Sequence, residues 1–577
     1  MSRAWPLEKM HREILAREQG TIRKETGGRH NLVILYPNTY QVGMANLGLA
    51  TVYRLVNAAA DFLCERAFLP DQAARALYKK TRVPLLSLES SRPVAEFDLV
   101  LATLPFENDA PNLAAMLDLA GLARPGRPEA GPLVVAGGVV PMLNPEPVAP
   151  LVDALLLGEA EAALEPFLRV WAGLRGRPRA EQLLALVERV PGFYAPELYQ
   201  PAYAPDGTLA SFTPLAEVPP RIAVPRYTGP AAGLAQSVVS APGPEFGDML
   251  LLEVGRGCGH ACRFCAAGHV FRPPRLGRAE DFATPALAAA ARGERVGLVS
   301  AAVSDLPGTA GLARQVHQAG GTLSVSSLRA DCLDPELVEA LALSRHQTVA
   351  LAPEAGGLRL RQSLNKQLTD QELFRAVEAL IQGGVPNLKL YFMVGLPGET
   401  REDVAAIGEL VKAVRQQVVS LAREKGHLGL ITVSLAAFVP KPWTPFQWEA
   451  MASLKEIKAR LAQVQADLAT TANVKVNHEV PKYAVLQGVI SRGDRRLAPL
   501  LGALGRGAKL PAAYGATGVD PVFYAQRARP REELLPWSVV DPGIRPDYLW
   551  AEAERARQAL SSPPCDPEHC RRCGVCS

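Results

Sequence analysis

Between Met249 and Val439 the chain repeats one pattern six times, a short apolar run followed by an amphipathic stretch. That alternation narrows the fold more than any other feature, because strands and helices in strict succession build a parallel sheet covered by helices. The strand-like runs are 249–255, 296–305, 322–328, 348–353, 388–396 and 431–439. The intervening helices carry their own start signals. Asp334 stands as an N-cap before Pro335, and Thr369 with Glu372 and Thr400 with Asp403 have capping-box spacing. Val404, Ile407, Val411 and Val414 recur at helical spacing, leaving Glu402, Glu409, Lys412 and Arg415 for water. Six units fall short of the eight that close a full barrel.

The strand faces predict a hollow interior. In the fifth run Leu388, Leu390 and Phe392 share one face while Lys389, Tyr391 and Met393 share the other, since side chains alternate with period two. Helices cover the outside, so the polar face points inward. In the sixth run Thr432, Ser434 and Ala436 oppose Ile431, Val433 and Leu435; in the third, Thr322, Ser324 and Ser326 oppose Leu323 and Val325. A closed barrel fills its centre with Val, Ile and Leu. Small and polar inward positions predict a lumen instead, with Lys389 and Tyr391 as candidate catalytic residues.

After the first strand comes Gly-Arg-Gly-Cys258-Gly-His-Ala-Cys262-Arg-Phe264-Cys265, a C-x3-C-x2-C spacing that supplies three thiolates and no fourth. A structural zinc site wants four protein ligands, so three close cysteines are either part of a zinc site completed elsewhere or the holders of a four-iron cluster with one iron open. This spacing, with an aromatic residue just before the last cysteine, resembles the radical S-adenosylmethionine (SAM) superfamily. The resemblance implies a [4Fe-4S] cluster on Cys258, Cys262 and Cys265 whose open iron chelates SAM, and an electron that cleaves SAM to a 5'-deoxyadenosyl radical. It also implies a partial, open (β/α)6 barrel.

In such barrels chemistry gathers at the carboxyl ends of the strands. Those ends are Ser304-Asp305, Ser326-Ser327-Leu328-Arg329, Ala352-Pro353-Glu354-Ala355-Gly356, Gly395-Leu396-Pro397-Gly398-Glu399-Thr400 and Phe438-Val439-Pro440-Lys441-Pro442. The last three, the final one continuing to Trp448, resemble the largely uncharacterised radical SAM subgroup with an N-terminal cobalamin-binding-like domain. By that similarity Glu354 hydrogen-bonds the SAM ribose, Phe264 lies by the adenine, and Arg329 or Arg361 meets the methionine carboxylate. Backbone at Gly395 approaches the adenine, and Ser304, Asp305 and Ser327 complete the cofactor contacts. Each has a structural alternative: Glu354 pairs with Arg329, Asp305 is an N-cap, and the Gly-Pro loops are only turns.

Residues before the barrel form another α/β unit. Apolar runs at 32–36, 83–88, 97–104, 133–136 and 154–157 alternate with helical stretches such as 47–62 and 112–122, which suggests a doubly wound parallel sheet. Its ligand-facing ends are Pro37-Asn38-Thr39, Glu89, Gly137-Gly138 and Gly158-Glu159. The layout resembles a cobalamin-binding domain, with one departure. Where that family carries an axial histidine this chain reads Pro37-Asn38-Thr39-Tyr40-Gln41-Val42-Gly43, and the domain's His11 and His30 both precede the strand. Either cobalamin binds without a protein lower ligand or the pocket has lost it; the alternative is a Rossmann-like domain that shields the barrel mouth or docks a partner.

Near the carboxyl terminus Cys565, Cys570, Cys573 and Cys576 place four thiolates within a dozen residues. This compact run favours an auxiliary iron-sulfur cluster, with zinc as the alternative and His569 as a further ligand in either case. Cys64 and Cys332 are expected to be buried packing residues.

The 577 residues are expected to divide into a cobalamin-binding-like Rossmann domain (1–190), a connector with one hairpin at Pro205-Asp206-Gly207 (191–245), the barrel (246–450) and a C-terminal domain (451–577). No signal peptide opens the chain and no run of about 18 apolar residues occurs, which argues against a membrane. Clustered thiolates indicate a reducing cytoplasm. A net charge of +4 does not by itself argue for nucleic acid, although Arg492, Arg495, Arg496, Arg506 and Lys509 form a basic run that would suit a phosphate-bearing substrate. The expectation is a radical SAM enzyme of transferase type that performs methyl transfer, or sulfur insertion or methylthiolation, on RNA or protein. It would take electrons from a reductant such as flavodoxin or ferredoxin, with substrate recognition on a separate protein. The other class is a non-catalytic metal-binding RNA- or ribosome-associated module.

Overall fold

The structure is a computed structural model that describes residues 3–124, 129, 131–241, 243, 246, 249–325, 328–333, 335–425 and 428–576. Asp334 and Ser326, expected as an N-cap and an inward strand position, lie outside the described residues. The amino-terminal sheet holds β1 (His30–Tyr36), β2 (Phe62–Phe68), β3 (Leu99–Thr103), β4 (Leu133–Gly137), β5 (Ala154–Leu156) and β6 (Phe193–Tyr194) in the order β2-β1-β3-β4-β5-β6. All pairs are parallel except β5 with β6. This is a doubly wound arrangement whose ligands bind beyond the carboxyl ends of the strands.

The second strand is not the expected 83–88 run, which makes only an isolated bridge between Leu86 and Pro93. Phe62–Phe68 takes that place with Glu65 and Arg66 at its centre. Arg66 is fully buried because Glu18 and Glu89 each lie 2.6 Å from its guanidinium. A strand whose central charges are neutralised only by distant segments does not read as an apolar run.

The connector forms an antiparallel hairpin of β7 (Tyr199–Tyr203) and β8 (Leu209–Pro214) around Asp206-Gly207, followed by the short β9 (Ile222–Ala223). The barrel then begins with β10 (Met249–Glu253). A two-stranded ribbon of β11 (Gly255–Arg256) and β12 (Arg275–Leu276) brackets the cysteine loop. The parallel strands continue as β13 (Arg295–Val299), β14 (Thr322–Val325), β15 (Thr348–Glu354), β16 (Asn387–Val394), β17 (Ile431–Ala437) and β18 (Val474–His478). The six expected strands are all present, and β18 adds a seventh that pairs parallel with β17. They form two sheets, β10-β13-β14 and β15-β16-β17-β18. The halves bury separate cores: the first packs on the alanine-rich helix Ala283–Ala291, while the second shares its core with the amino-terminal domain. Both capping boxes after β15 and β16 form, at Thr369 with Glu372 and Thr400 with Asp403. Val404, Ile407, Val411 and Val414 are buried along the helix Arg401–Lys425.

The segment after the barrel binds back to both domains. Asn144 donates its side-chain amide to the carbonyls of Ser491 and Gly493 at 3.1 and 2.8 Å. β19 (Val540–Asp541) pairs with β9 of the connector. Gly505 approaches Pro111 so closely that a Cβ there would stand 2.6 Å from the proline carbonyl oxygen. Among the described residues no helix is long and apolar enough to cross a membrane.

Candidate active site

The three cysteines open from the carboxyl end of the first barrel strand, just past the β11 turn. Gly257 has φ +81°, and a Cβ there would lie 2.6 Å from the Phe271 carbonyl oxygen, so only glycine lets the loop start its turn. Burial pushes all three thiols up, Cys262 to about 12, and the charges of Lys366 and Arg329 act against it at Cys258 and Cys262. Cys262 interacts electrostatically with both Cys258 and Cys265. Thiols crowded in this way ionise readily only when a metal compensates them. Among the described residues no three or more His, Cys, Asp or Glu side chains are already gathered into a metal ion's ligand set; the fit to a cluster rests on the donors and their surroundings.

Those surroundings hold the loop on three sides. His260 Nε2 and Asp305 Oδ2 are 2.6 Å apart, tying the loop to the turn after β13. Asn365 donates its side-chain amide to the carbonyls of His260 and Ala261 at 3.3 Å. Arg263 is fully buried and donates to the carbonyl oxygens of Ser363 at 2.9 Å and Leu560 at 2.7 Å, and to the Glu552 carboxylate.

Around this loop stand most of the expected cofactor residues. Ser304 Oγ accepts the Arg329 backbone N–H at 3.1 Å. Arg329 is buried and donates through Nη2 to Asp331 at 2.6 Å, not to Glu354. Its Nε and the Oδ1 of Asp305 are buried with no hydrogen-bond partner among the described residues. Orphaned donors and acceptors of this kind beside three thiols are what a polar ligand would satisfy. Glu354 closes β15 with φ +70° and lies 3.8 Å from Lys366 Nζ; burial pushes its carboxyl up and Lys366 opposes it. Glu354 also faces Cys265, so a carboxylate, an ammonium and the thiols share one volume. Phe264 packs against a small buried cluster that includes Leu360, Leu396 and Phe438. Cys332, expected to be buried packing, is half-exposed next to Asp305 and Arg329, whereas Cys64 is buried as expected.

Other expected residues stand elsewhere. Ser327 lies outside the described residues. Arg361 is fully buried and donates to the carbonyls of Leu368 at 2.7 Å and Gly356 at 3.0 Å and to Asp370, which makes it an internal strut. Gly395 has φ +80°, donates its N–H to Glu399 Oε2 at 2.7 Å, and faces Ala452, whose Cβ would be 3.0 Å from a Cβ at that glycine. Its freedom serves the turn. Lys389 and Tyr391 are on the open face of β16, with Lys389 Nζ 4.8 Å from the Tyr391 ring centre and Tyr391 37% exposed.

A cavity of about 320 Å³ lies between the amino-terminal sheet and the barrel. Gly137, Gly138 and Gly158 wall one side, and Arg256, Phe271 and Val299 the other. Glu159 and Glu161 fix this junction: Arg256 reaches them at 2.9 and 2.7 Å and Arg275 reaches Glu159 at 2.6 Å. Among the described residues no histidine lines the cavity. His11 lines a different one with Thr39, Tyr40 and Gln41, and its Nδ1 is 2.9 Å from Ser91 Oγ.

Of the expected basic run Arg506 and Lys509 are exposed, but Arg492, Arg495 and Arg496 are not a free cationic face. Arg492 is buried against the carbonyls of Glu449, Ala525 and Arg527, Arg495 pairs with Glu146 at 2.7 Å, and Arg496 pairs with Asp494 and stacks on Tyr203 at 3.8 Å. Carbonyls and carboxylates supplied by other segments have satisfied these guanidiniums, so they are not presented to a phosphate backbone.

Two family models match the chain: residues 252–411 fit the radical SAM superfamily and residues 48–196 fit radical SAM proteins, N-terminal. The chain carries a radical SAM domain at residues 252–411. Its three-cysteine loop falls inside the first match, and Gly137, Gly138 and Gly158 of the cavity fall inside the second. Over 482 residues it is 27% identical to the uncharacterized protein MJ0966 of Methanocaldococcus jannaschii, covering 82% of this chain and 90% of that protein. The radical SAM methyltransferase TsrM from Kitasatospora setae, with tryptophan substrate and a SAM analog bound, aligns over 92% of this chain and 99% of its own at 13% identity and TM-score 0.48. The cobalamin-dependent SAM radical enzyme OxsB, with aqua-cobalamin bound, aligns over 66% of this chain and 52% of its own at 12% identity and TM-score 0.44.

Three residues of this radical SAM site escaped the sequence reading: His260, Asn365 and Lys366. The pair Asn365-Lys366 follows a short helix, and Asn365 has φ +55°, so it reads in sequence as an ordinary helix end.

Proposed function

We propose that this radical SAM protein reductively cleaves SAM at a cluster held by Cys258, Cys262 and Cys265 and uses the resulting chemistry to methylate a substrate at the open face of the barrel. The observation that carries this is the pair of orphaned buried atoms, Arg329 Nε and Asp305 Oδ1, beside the three thiols. When loaded, the cluster supplies the electron that splits SAM into methionine and a 5'-deoxyadenosyl radical.

Arg329 takes the methionine carboxylate, for which its free Nε and planar guanidinium are suited. Asp305, its Oδ2 turned to His260, keeps Oδ1 for the SAM amino group or ribose, and Ser304 holds Arg329 in place through its backbone. Glu354 binds the ribose hydroxyls, with Lys366 steadying its charge, and Phe264 lines the adenine side. Arg361 and Gly395 act as supports behind this set. Lys389 and Tyr391 face the substrate, RNA or protein, and offer an ammonium and a hydroxyl for orientation or proton transfer. The cavity walled by Gly138, Gly158 and Phe271 lies at the carboxyl ends of the amino-terminal strands, and cobalamin seated there without an imidazole ligand would supply a methyl carrier. Sulfur insertion or methylthiolation is the second reading, and it would not need that cavity filled. Electrons would come from a flavodoxin- or ferredoxin-type protein.

The test is anaerobic reconstitution with iron and sulfide, then addition of dithionite and SAM. We expect 5'-deoxyadenosine and methionine from the wild type and none from Cys258→Ala. No nucleoside from protein with an intact cluster spectrum would refute SAM cleavage. Hydroxocobalamin should bind with a visible spectral shift; a protein that binds none yet modifies its substrate would leave only the sulfur-transfer reading.

A further inference from the structure

The four carboxyl-terminal cysteines are absorbed by nothing above, yet their segment is seated on the active-site loop. Cys565 donates its backbone N–H to the carbonyl of Gly259, the residue after Cys258, at 2.7 Å. The approach to that contact is fixed by two buried anchors of the first cysteine loop. Ser562 donates its N–H to Asn365 Oδ1 at 2.8 Å, and Arg263 holds the Leu560 carbonyl at 2.7 Å. Arg272 also links the two groups: its Nε donates to Gly268, three residues past Cys265, at 2.8 Å, while its guanidinium faces Cys565 and Cys573.

The four cysteines share one short loop, and Cys565 and Cys573 both border the Arg272 guanidinium. Cys573 is buried and its carbonyl accepts the Arg545 N–H at 2.9 Å, while Arg545 Nη2 grips the carbonyls of Arg571 and Arg572, both at 2.7 Å. Gly574 turns with φ +87° against the Arg545 side chain, where a Cβ would lie 2.8 Å from Cγ. Arg572 Nε lies 3.3 Å from Cys570 Sγ. This loop sets its cysteines beside the cationic side chains of Arg272, Arg545 and Arg572. It is built to hold an anionic centre, and the exposed Arg571 and Arg572 beside it suit an acidic protein donor.

We propose that Cys565, Cys570, Cys573 and Cys576 hold a second iron-sulfur cluster, docked through Gly259 and Arg272 on the loop of the first, and that electrons reach the SAM site through it. Loaded, the four-cysteine cluster would take one electron from a low-potential flavodoxin- or ferredoxin-type donor and hand it to the three-cysteine cluster. That electron would enter the SAM sulfonium and break its bond to C5', giving methionine and the 5'-deoxyadenosyl radical. The relay rests on the SAM-cleavage reading; the second cluster does not.

The full-length reconstituted protein tests both. Iron counts of about eight per chain are expected for the wild type and about four for either the Cys258/Cys262/Cys265→Ala or the Cys565/Cys570/Cys573/Cys576→Ala variant. The first of these variants should still give an electron paramagnetic resonance signal on reduction. Zinc in place of iron there, or an unchanged iron count in the second variant, overturns the proposal. Should the four-fold variant fail to fold, Cys570→Ala removes a single half-exposed ligand, and a three-iron signal at unchanged melting temperature is expected; a wild-type signal overturns the cluster. For the relay, SAM cleavage driven by reduced flavodoxin should fall at least tenfold in Cys570→Ala while dithionite-driven cleavage persists. Equal loss with both reductants, the first cluster's signal being intact, overturns the relay. A wild type that keeps both clusters yet cleaves no SAM with either reductant refutes the proposed function and leaves the second cluster standing.

Discussion

Arg329 and Arg361 look alike in sequence as candidates for a carboxylate, and their surroundings separate them. Both have a buried Nε with no hydrogen-bond partner among the described residues, but Arg361 has both terminal nitrogens committed to two carbonyls and Asp370, whereas Arg329 donates through Nη2 to Asp331 beside the thiols. Arg361→Ala should therefore act on stability, leaving buried carbonyls unpaired at a cost of about 2–4 kcal/mol, read as a lower melting temperature of the apoprotein. Arg329→Lys should leave melting nearly unchanged and weaken SAM binding about tenfold or more, since an ammonium cannot reproduce the planar fork. Isothermal titration and thermal melts on both variants check the pair; the reverse pattern would exchange their roles.

At the level of elements, the turn after β16 has a carboxyl group at its centre. Glu399 accepts the Gly395 N–H and pairs with Arg460 at 3.1 Å. Burial pushes its carboxyl up to about 7, against those two partners. The folded chain thus holds a proton that the unfolded chain releases near 4.5. The stability linked to that proton is fully present below about pH 4.5 and is lost as pH rises through about 7. Glu399→Gln keeps an acceptor for Gly395 and cannot titrate, so its melting temperature should change less between pH 5 and pH 8 than the wild type's. Parallel pH profiles would count against the assignment. In sequence Gly-x-Pro-Gly fits an adenine-facing loop and a helix-entry turn equally well; in the fold Gly395 serves the turn, with Ala452 packed close against it.

For the whole molecule the decisive contact is between the domains. Arg256, two residues before Cys258, meets Glu159 and Glu161 of the amino-terminal domain and Glu253 of β10, so the cysteine loop and the Gly158-Glu159 turn are set by one guanidinium. Arg256→Ala would leave three carboxylates close together, with Arg275 on one of them, and should destabilise the fold by about 3–5 kcal/mol. Urea unfolding followed at the tryptophans should show the first transition move to lower denaturant. A shift in SAM cleavage with no change in unfolding would mean the network serves chemistry and not docking.

By itself the sequence determined the succession of strands and helices, the three-cysteine loop after the first barrel strand, the inward polar face of β16 and the doubly wound first domain, because period, caps and ligand spacing are local properties. Tertiary structure decided what local properties leave open. It placed β2, whose buried Arg66 has its charge compensated by Glu18 and Glu89, and β18, whose pattern Val-Lys-Val-Asn-His is too polar to read as a buried strand. It turned the basic run of Arg492, Arg495 and Arg496 inward onto carbonyls and carboxylates from distant segments. It also brought Lys366 to Glu354 and Cys565 to Gly259, contacts that join residues 12 and more than 300 positions apart. A charge or a thiol is assigned its task by the partner that desolvates or compensates it, and that partner is chosen by the fold.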